Sequence, residues 1–171
     1  MGRFSLLGKS RKVGVVTEKY PFKPTELPEG FRGKPEINVE KCIGCGACVA
    51  ECPPNALTME DRDGYRVIRL FYGRCIFCGR CADVCPEEAI SLTMEFELTS
   101  DTLTDLVQEV KLKMVKCIVC GRYYGTERHQ RKIIEAMKSQ GIELDPEIMY
   151  RCPEHRADTG AKLIGLRRES K

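Results

Sequence analysis

Apolar residues come in short blocks along this chain, and the spacing within each block predicts an element. Tyr65-Arg66-Val67-Ile68-Arg69-Leu70 alternates with the period of a half-buried strand. Asp61-Arg62-Asp63-Gly64 just ahead of it is a turn signal, so 57–70 predicts a β-hairpin. Phe31 to Ile37 leads into a short strand, and Ile90 to Leu98 predicts another. Leu92-Thr93-Met94-Glu95 in that second stretch echoes Leu57-Thr58-Met59-Glu60. Helices are expected at three places. One starts near Pro53. One spans 100–115, where Leu103, Leu106, Val107 and Val110 share a face and Ser100 or Asp101 serves as cap. One spans 126–140, with Ile133, Ile134 and Met137 on one side and Gly141 as its stop. Residues 1–35 read as an extended arm. Its opening Met1–Lys12 is basic and partly apolar, with the spacing of one short amphipathic helix weakened by Gly2 and Gly8. Pro21, Pro24 and Pro28 then forbid helix or central strand. Such a segment cannot bury Phe4, Phe22 or Phe31 by itself. It is either a disordered tail or an arm laid across a partner subunit or a membrane surface.

Between the predicted strands lies a repeated cysteine run. Cys42, Cys45, Cys48 and Cys52-Pro53 recur as Cys75, Cys78, Cys81 and Cys85-Pro86 at a constant offset of 33 residues, and 8 of 16 aligned positions from Cys42 and Cys75 onward are identical. Each copy is C-x2-C-x2-C-x3-C-P, the spacing of bacterial-type two-cluster ferredoxins, in which the fourth cysteine ligates the other cluster. The expected ligand sets are therefore Cys42, Cys45, Cys48 and Cys85 for one 4Fe–4S cluster, and Cys75, Cys78, Cys81 and Cys52 for the other. Gly44, Gly46 and Gly79 let backbone N–H groups approach the cluster sulfurs. Two zinc sites or disulfides are the competing reading, but the triple-plus-proline pattern serves neither. The expected fold is α+β: a bacterial-type two-cluster ferredoxin core at 36–99, the extended arm at 1–35, a helical extension at 100–158, and a basic tail at 159–171.

That extension carries its own candidate site. Cys117-x2-Cys120-Gly121 and Cys152-Pro153-x-His155 make a Cys3His set that suits one tetrahedral structural zinc. The 31 residues between the two knuckles exceed the usual ribbon spacing, and a predicted helix fills them. A mononuclear rubredoxin-like iron is the rival, against which His155 argues, and unliganded cysteines are the third possibility. Zinc has no redox chemistry and would stand off any electron path. His129, amid charges on the predicted helix, reads as a surface residue.

Charge adds a pattern that the net of +3 hides. Residues 1–35 hold 8 Lys/Arg against 3 Asp/Glu, 36–100 hold 6 against 11, and 101–171 hold 14 against 11. An acidic core is flanked by basic arms. Eleven cysteines in metal-binding register imply a reducing, interior compartment. No apolar run approaches the roughly 20 residues of a membrane span, and no secretory signal pattern is present, so the chain is not expected to cross a membrane by itself.

Phe31-Arg-Gly-Lys-Pro35, the Cys42 run, Arg74-Cys75-Ile-Phe-Cys-Gly79 and Glu95-Phe-Glu-Leu98 together resemble the two-cluster ferredoxin-like subunit of respiratory complex I. They are closer to the corresponding subunit of membrane-bound [NiFe]-hydrogenases of the formate hydrogenlyase type. The resemblance is strong over 20–100 and weaker over 115–155, where Cys117, Cys120 and Cys152-Pro153 match and His155 stands in place of an expected cysteine. It implies an electron-transfer subunit without catalytic residues of its own, docked on a hydrogenase-like small subunit and other subunits of a membrane-bound oxidoreductase. Its place would be peripheral, on the cytoplasmic face of the membrane, reached through those subunits or through the N-terminal arm. It would relay electrons between a donor module and the catalytic metal subunit.

Two other functions compete. A free, diffusing two-cluster ferredoxin fits the motif, but basic arms are unlike such acidic carriers. A zinc- and nucleic-acid-binding protein would use the basic C-terminal third, yet Arg122, Arg128, Arg131 and Lys132 read more simply as a solvated helix face or a subunit contact, and no nucleic-acid partner is expected. No nucleophile–base set or phosphate loop supports catalysis.

Overall fold

A computed structural model describes residues 5–141 and 145–157, and the chain divides into two units between Phe31 and Arg32. Phe4 and the basic tail at 159–171 lie outside the described residues. In the first unit, α1 (Ser5–Val13) is a helix with no buried residue. Leu6, Leu7, Val13, Val15 and Val16 are exposed, and Phe22 is 94% exposed. From Tyr20 to Pro28 the chain runs through a turn and then irregular backbone, as its prolines require.

The second unit is α+β. In chain order it holds β1 (Pro35–Ile37), α2 (Ala47–Ala50), β2 (Leu57–Arg62), β3 (Tyr65–Phe71), α3 (Arg80–Asp83), β4 (Ile90–Leu92), β5 (Val107–Lys116), β6 (Tyr123–Thr126), α4 (Glu127–Ser139) and α5 (Pro146–Met149). β1 and β4 form a two-stranded antiparallel sheet in which Ile37 faces Ile90. The second sheet is antiparallel in the order β2-β3-β5-β6. The β2–β3 hairpin turns at Asp63 and Gly64, both at positive φ (52° and 80°), as its turn signal predicts. Ile37, Leu57, Ile68, Leu70, Ile90, Val110 and Leu112 are buried together with Cys42 and Cys48. The core is thus a thin apolar layer shared with the cysteine loops.

Three expectations are corrected. The helix expected over 100–115 does not form. Leu103–Leu106 is a single 3-10 turn, and Leu103 is exposed. The following ten residues are β5, with Val110, Leu112 and Met114 buried between exposed Glu109, Lys111 and Lys113. The period-2 alternation from Val110 to Met114 outweighs the helical spacing of Leu103, Leu106 and Val107, because the open edge of β3 offers ladder partners such as Ile68 opposite Val110. Extension 100–158 is therefore helical only from Glu127 onward; its first part completes a sheet.

Nor does a helix begin at Pro53. The short helices lie earlier, at α2 and α3, entered through Gly46 and Gly79 at φ 82° and 83°. Cys52 opens only one turn, closed by the Asn55 N–H on its carbonyl at 3.1 Å. Asn55 sits left-handed at φ 52°, which stops propagation, and Glu88 does the same at φ 47° in the second copy. The strand from Ile90 is also shorter than expected. Beyond Leu92 the ladder gives way to irregular backbone, where Gly33 N–H donates to Thr93 O at 3.0 Å and Lys34 N–H to Glu95 O at 2.7 Å.

The helix over 126–140 forms as α4. Thr126 caps it by accepting the His129 N–H at 3.2 Å, and Gly141 follows its end at φ 71°.

Candidate metal centres

Two cavities in the core are lined by the repeated cysteines. One brings together Cys42, Cys45, Cys48 and Cys85, walled by Ile37, Ile43, Ile68 and Ile90. The other brings together Cys52, Cys75, Cys78 and Cys81, walled by Leu57, Leu70, Leu92 and Phe77. Each cavity thus holds three cysteines of one run and the fourth of the other.

Local backbone positions the sulfurs. The Ala56 N–H donates to Cys52 Sγ and the Ala89 N–H to Cys85 Sγ, both at 3.2 Å, one in each repeat. The Phe77 N–H reaches Cys75 Sγ at 3.5 Å. Burial pushes the Cys48 thiol up to about 12 and Cys81 to about 11, reinforced by neighbouring sulfurs. Cys42 and Cys75 are raised by the same cause. Cys42 and Cys48 are buried, Cys45 is exposed and the rest are half-buried, and four thiolates gathered in one such pocket need a compensating cation. Soft sulfur donors alone, in apolar walls, with N–H groups turned onto them, fit iron–sulfur clusters.

The two loops differ in what covers them. Gly44, at φ 74°, lies under Leu112 of β5 and Thr126 of β6. A Cβ there would come within 2.7 Å of Leu112 Cδ1 and 2.8 Å of Thr126 Cγ2. Its counterpart in the second copy is Phe77, also left-handed at φ 53° but bearing a full side chain, and neighbouring Ile76 is 61% exposed. Thr126 Oγ1 donates to the Ile43 carbonyl. Arg66, paired bidentately with Asp61 at 2.7 and 2.8 Å, donates to Gly44 O at 3.0 Å. Arg128, from the first turn of α4, donates to the carbonyls of Val39, Glu40 and Cys42. On the second loop, exposed Arg32 donates to Cys78 O at 3.1 Å. Gln108 of β5 clamps Ile37, accepting its N–H at 3.0 Å and donating to its carbonyl at 3.1 Å.

These contacts revise the reading of the basic residues on α4 as a solvated face. Arg128 binds the first cysteine loop, and Lys132 pairs with Glu87 at 2.9 Å. Arg66, Gln108, Thr126 and Arg128 were not singled out for this role in the sequence. Their partners in β1 and the first loop are 22 to 89 residues away, and no local spacing signals such pairs.

A third group of donors converges at the far end of β5. One ligand atom each from Cys117, Cys120, Cys152 and His155 lies within 4.8 Å of the others. The Cys152 N–H donates to Cys117 Sγ at 3.3 Å, and His155 Nδ1 stands 3.0 Å from Cys152 Sγ. Ile118 N–H to Tyr150 O, at 3.0 Å, ties the two knuckles together. Burial opposes ionisation of Cys117, but the backbone N–H groups of Cys120, Cys152 and Val119 outweigh it and draw the thiol down to about 6. Three sulfurs and an imidazole nitrogen gathered this closely suit a small tetrahedral cation. His129 is not among these donors; its backbone serves the α4 cap.

Comparison with known proteins follows the same lines. The 4Fe-4S dicluster domain family matches residues 41–89. Over 156 residues the chain is 42% identical to formate hydrogenlyase subunit 6 of Escherichia coli (strain K12), spanning 88% of this chain and 87% of that protein. Among solved structures it is similar to a chain of the membrane-bound sulfane sulfur reductase, an archaeal respiratory membrane complex. There the TM-score is 0.44 at 29% identity, over 60% of this chain and 56% of that one. No helix among the described residues is long and apolar enough to cross a membrane.

Proposed function

The chain belongs to the family of formate hydrogenlyase subunit 6, as an iron–sulfur electron-transfer subunit, and on that footing we propose that it relays electrons between a donor module and the catalytic metal subunit of a membrane-bound hydrogenase or complex-I-like oxidoreductase. Cys42, Cys45, Cys48 and Cys85 would hold one 4Fe–4S cluster, and Cys75, Cys78, Cys81 and Cys52 the other. Each cluster, when bound, takes up and gives up one electron. The observation that carries the reading is the pair of four-cysteine cavities, each completed by the fourth cysteine of the other run, in a chain so similar to a subunit of a larger assembly. The chain's own residues bury Cys42 and Cys48, direct N–H groups at the sulfurs of Cys52, Cys75 and Cys85, and bring the two runs into shared pockets.

Cys117, Cys120, Cys152 and His155 would hold one zinc ion that closes the extension without taking part in electron transfer. The partners would be a hydrogenase-like small subunit and further subunits of the complex, with the chain peripheral on the cytoplasmic face of the membrane. The N-terminal unit supports that placement, since Leu6, Leu7, Val15, Val16 and Phe22 are apolar and exposed.

The test is anaerobic purification of the tagged chain from gently solubilised membranes. Co-purification with the other subunits is expected, and deletion of residues 1–28 is expected to release a chain that still holds both clusters. A full-length chain that leaves the membrane fraction alone, with its clusters intact, would instead establish the diffusing carrier.

A further inference from the structure

We propose that Arg128 is a positioning residue for the first four-cysteine pocket: its guanidinium, lodged on the backbone carbonyls of the loop that enters the pocket, makes the cluster held there the more easily reduced of the two. The proposal rests on the reading that each pocket holds a cluster. It assigns to the C-terminal extension a part in electron transfer that no ligand of its own performs.

Four observations converge on it. Among the described residues the hydrogen-bond partners of Arg128 are all carbonyls: Val39 O, Glu40 O at 3.2 Å and Cys42 O at 3.3 Å. Glu127, its neighbour in the chain, pairs with Lys113 at 2.8 Å, and Glu87 pairs with Lys132 at 2.9 Å. Among the described residues no carboxylate forms an ion pair with Arg128, Glu40 of the same loop included. The Arg66 charge on the same loop, in contrast, is matched by Asp61. On the second loop Arg80 is matched by Glu51 at 3.0 Å, and Arg74 and Arg32, the latter donating to Cys78 O, have exposed side chains whose charge water screens.

The position of Arg128 is fixed from two sides. Thr126 Oγ1 holds the Ile43 carbonyl and also caps α4 through the His129 N–H, which sets the first helical turn against the Cys42–Cys45 loop. The β6–α4 segment itself is strung between the knuckle of Cys117 and Cys120 and that of Cys152 and His155. A cation held on a half-buried loop stabilises whichever state of a nearby centre is more negative, and the reduced cluster is that state.

The experiment is a redox titration followed by electron paramagnetic resonance on the anaerobically purified complex, comparing the parent with Arg128→Gln, Arg128→Lys and Arg32→Gln. In Arg128→Gln one centre is expected to become harder to reduce. Its reduced-to-oxidised ratio at a fixed poise falls on the order of tenfold, ~59 mV for a one-electron couple, and the other centre does not move. Arg128→Lys keeps the charge and restores most of the shift. Arg32→Gln moves the other centre, and by less. Loss of a cluster in the Gln variant but not in the Lys variant also supports a charge that holds this pocket. Equal shifts of both centres, no shift, or a Lys variant that behaves like Gln would overturn the proposal. Iron content separates the two levels of the reading. A parent lacking two clusters removes the premise, while a parent with both clusters and unmoved potentials in Arg128→Gln removes only the role of Arg128.

Discussion

Replacement of Gly44 by alanine tests whether the C-terminal sheet is built onto the first cysteine loop. Two costs add. Gly44 lies at φ 74°, where an L side chain costs roughly 1–2 kcal/mol. The new methyl would also meet Leu112 Cδ1 at 2.7 Å and Thr126 Cγ2 at 2.8 Å, and neither can retreat easily, because Leu112 is buried between β3 and the loop and Thr126 is tied to Ile43. Overpacking of this kind costs about 1–3 kcal/mol. The sum, roughly 2–5 kcal/mol, is a large part of the ~5–15 kcal/mol that holds a domain together. Gly44→Ala should therefore lose iron from the first pocket and unfold at lower temperature, measured by iron content and by loss of visible cluster absorbance on heating under anaerobic conditions. Gly8→Ala is the control. It sits in exposed α1 with nothing within 4 Å of the added carbon, and should be neutral or slightly stabilising. A Gly44→Ala protein with parental iron content and melting temperature would refute the contact between loop and extension.

Three further outcomes are expected. Cys52→Ser should damage the centre built on Cys75, Cys78 and Cys81, and Cys85→Ser the centre built on Cys42, Cys45 and Cys48, each leaving about half of the roughly eight irons per chain; selective loss within the mutated run, seen by spectroscopy, would overturn the crossed assignment. Cys120→Ala should remove one zinc per chain by metal analysis and expose 117–155 to limited proteolysis while the cluster irons stay bound; an iron signal that titrates with reductant and vanishes in this variant would mark a redox centre instead. Asp61 is held below the usual carboxylate range chiefly by its hydrogen bonds from Arg66. Its stabilisation is thus present above that range and lost as pH falls through the lowered value, so the stability gap between parent and Asp61→Asn should be full near neutrality and close in acid. A gap that widens on acidification would contradict that sign.

The sequence by itself determined the chemistry. Two runs of C-x2-C-x2-C-x3-C-P at a fixed offset admit one sensible ligand type, and the Asp63-Gly64 turn, the β2–β3 alternation and the α4 cap are local signals that local physics obeys. A Cys3His set could likewise be proposed from two short knuckles, because each ligand pair is set by a turn of a few residues. Only the tertiary structure decided the rest. Residues 107–116 carry spacings compatible with helix and with strand, and the unpaired edge of β3 selects strand. Once β5 is in place it carries Leu112 over Gly44 and Gln108 onto Ile37, and, through β6 and α4, brings Thr126 over Gly44 and Arg128 onto the carbonyls before Cys45. The repeat is close to symmetric in sequence, but the extension covers one copy and leaves Ile76 of the other exposed. That asymmetry arises from contacts between residues as many as 89 positions apart, and pairings of that range follow from how surfaces meet rather than from any pattern along the chain.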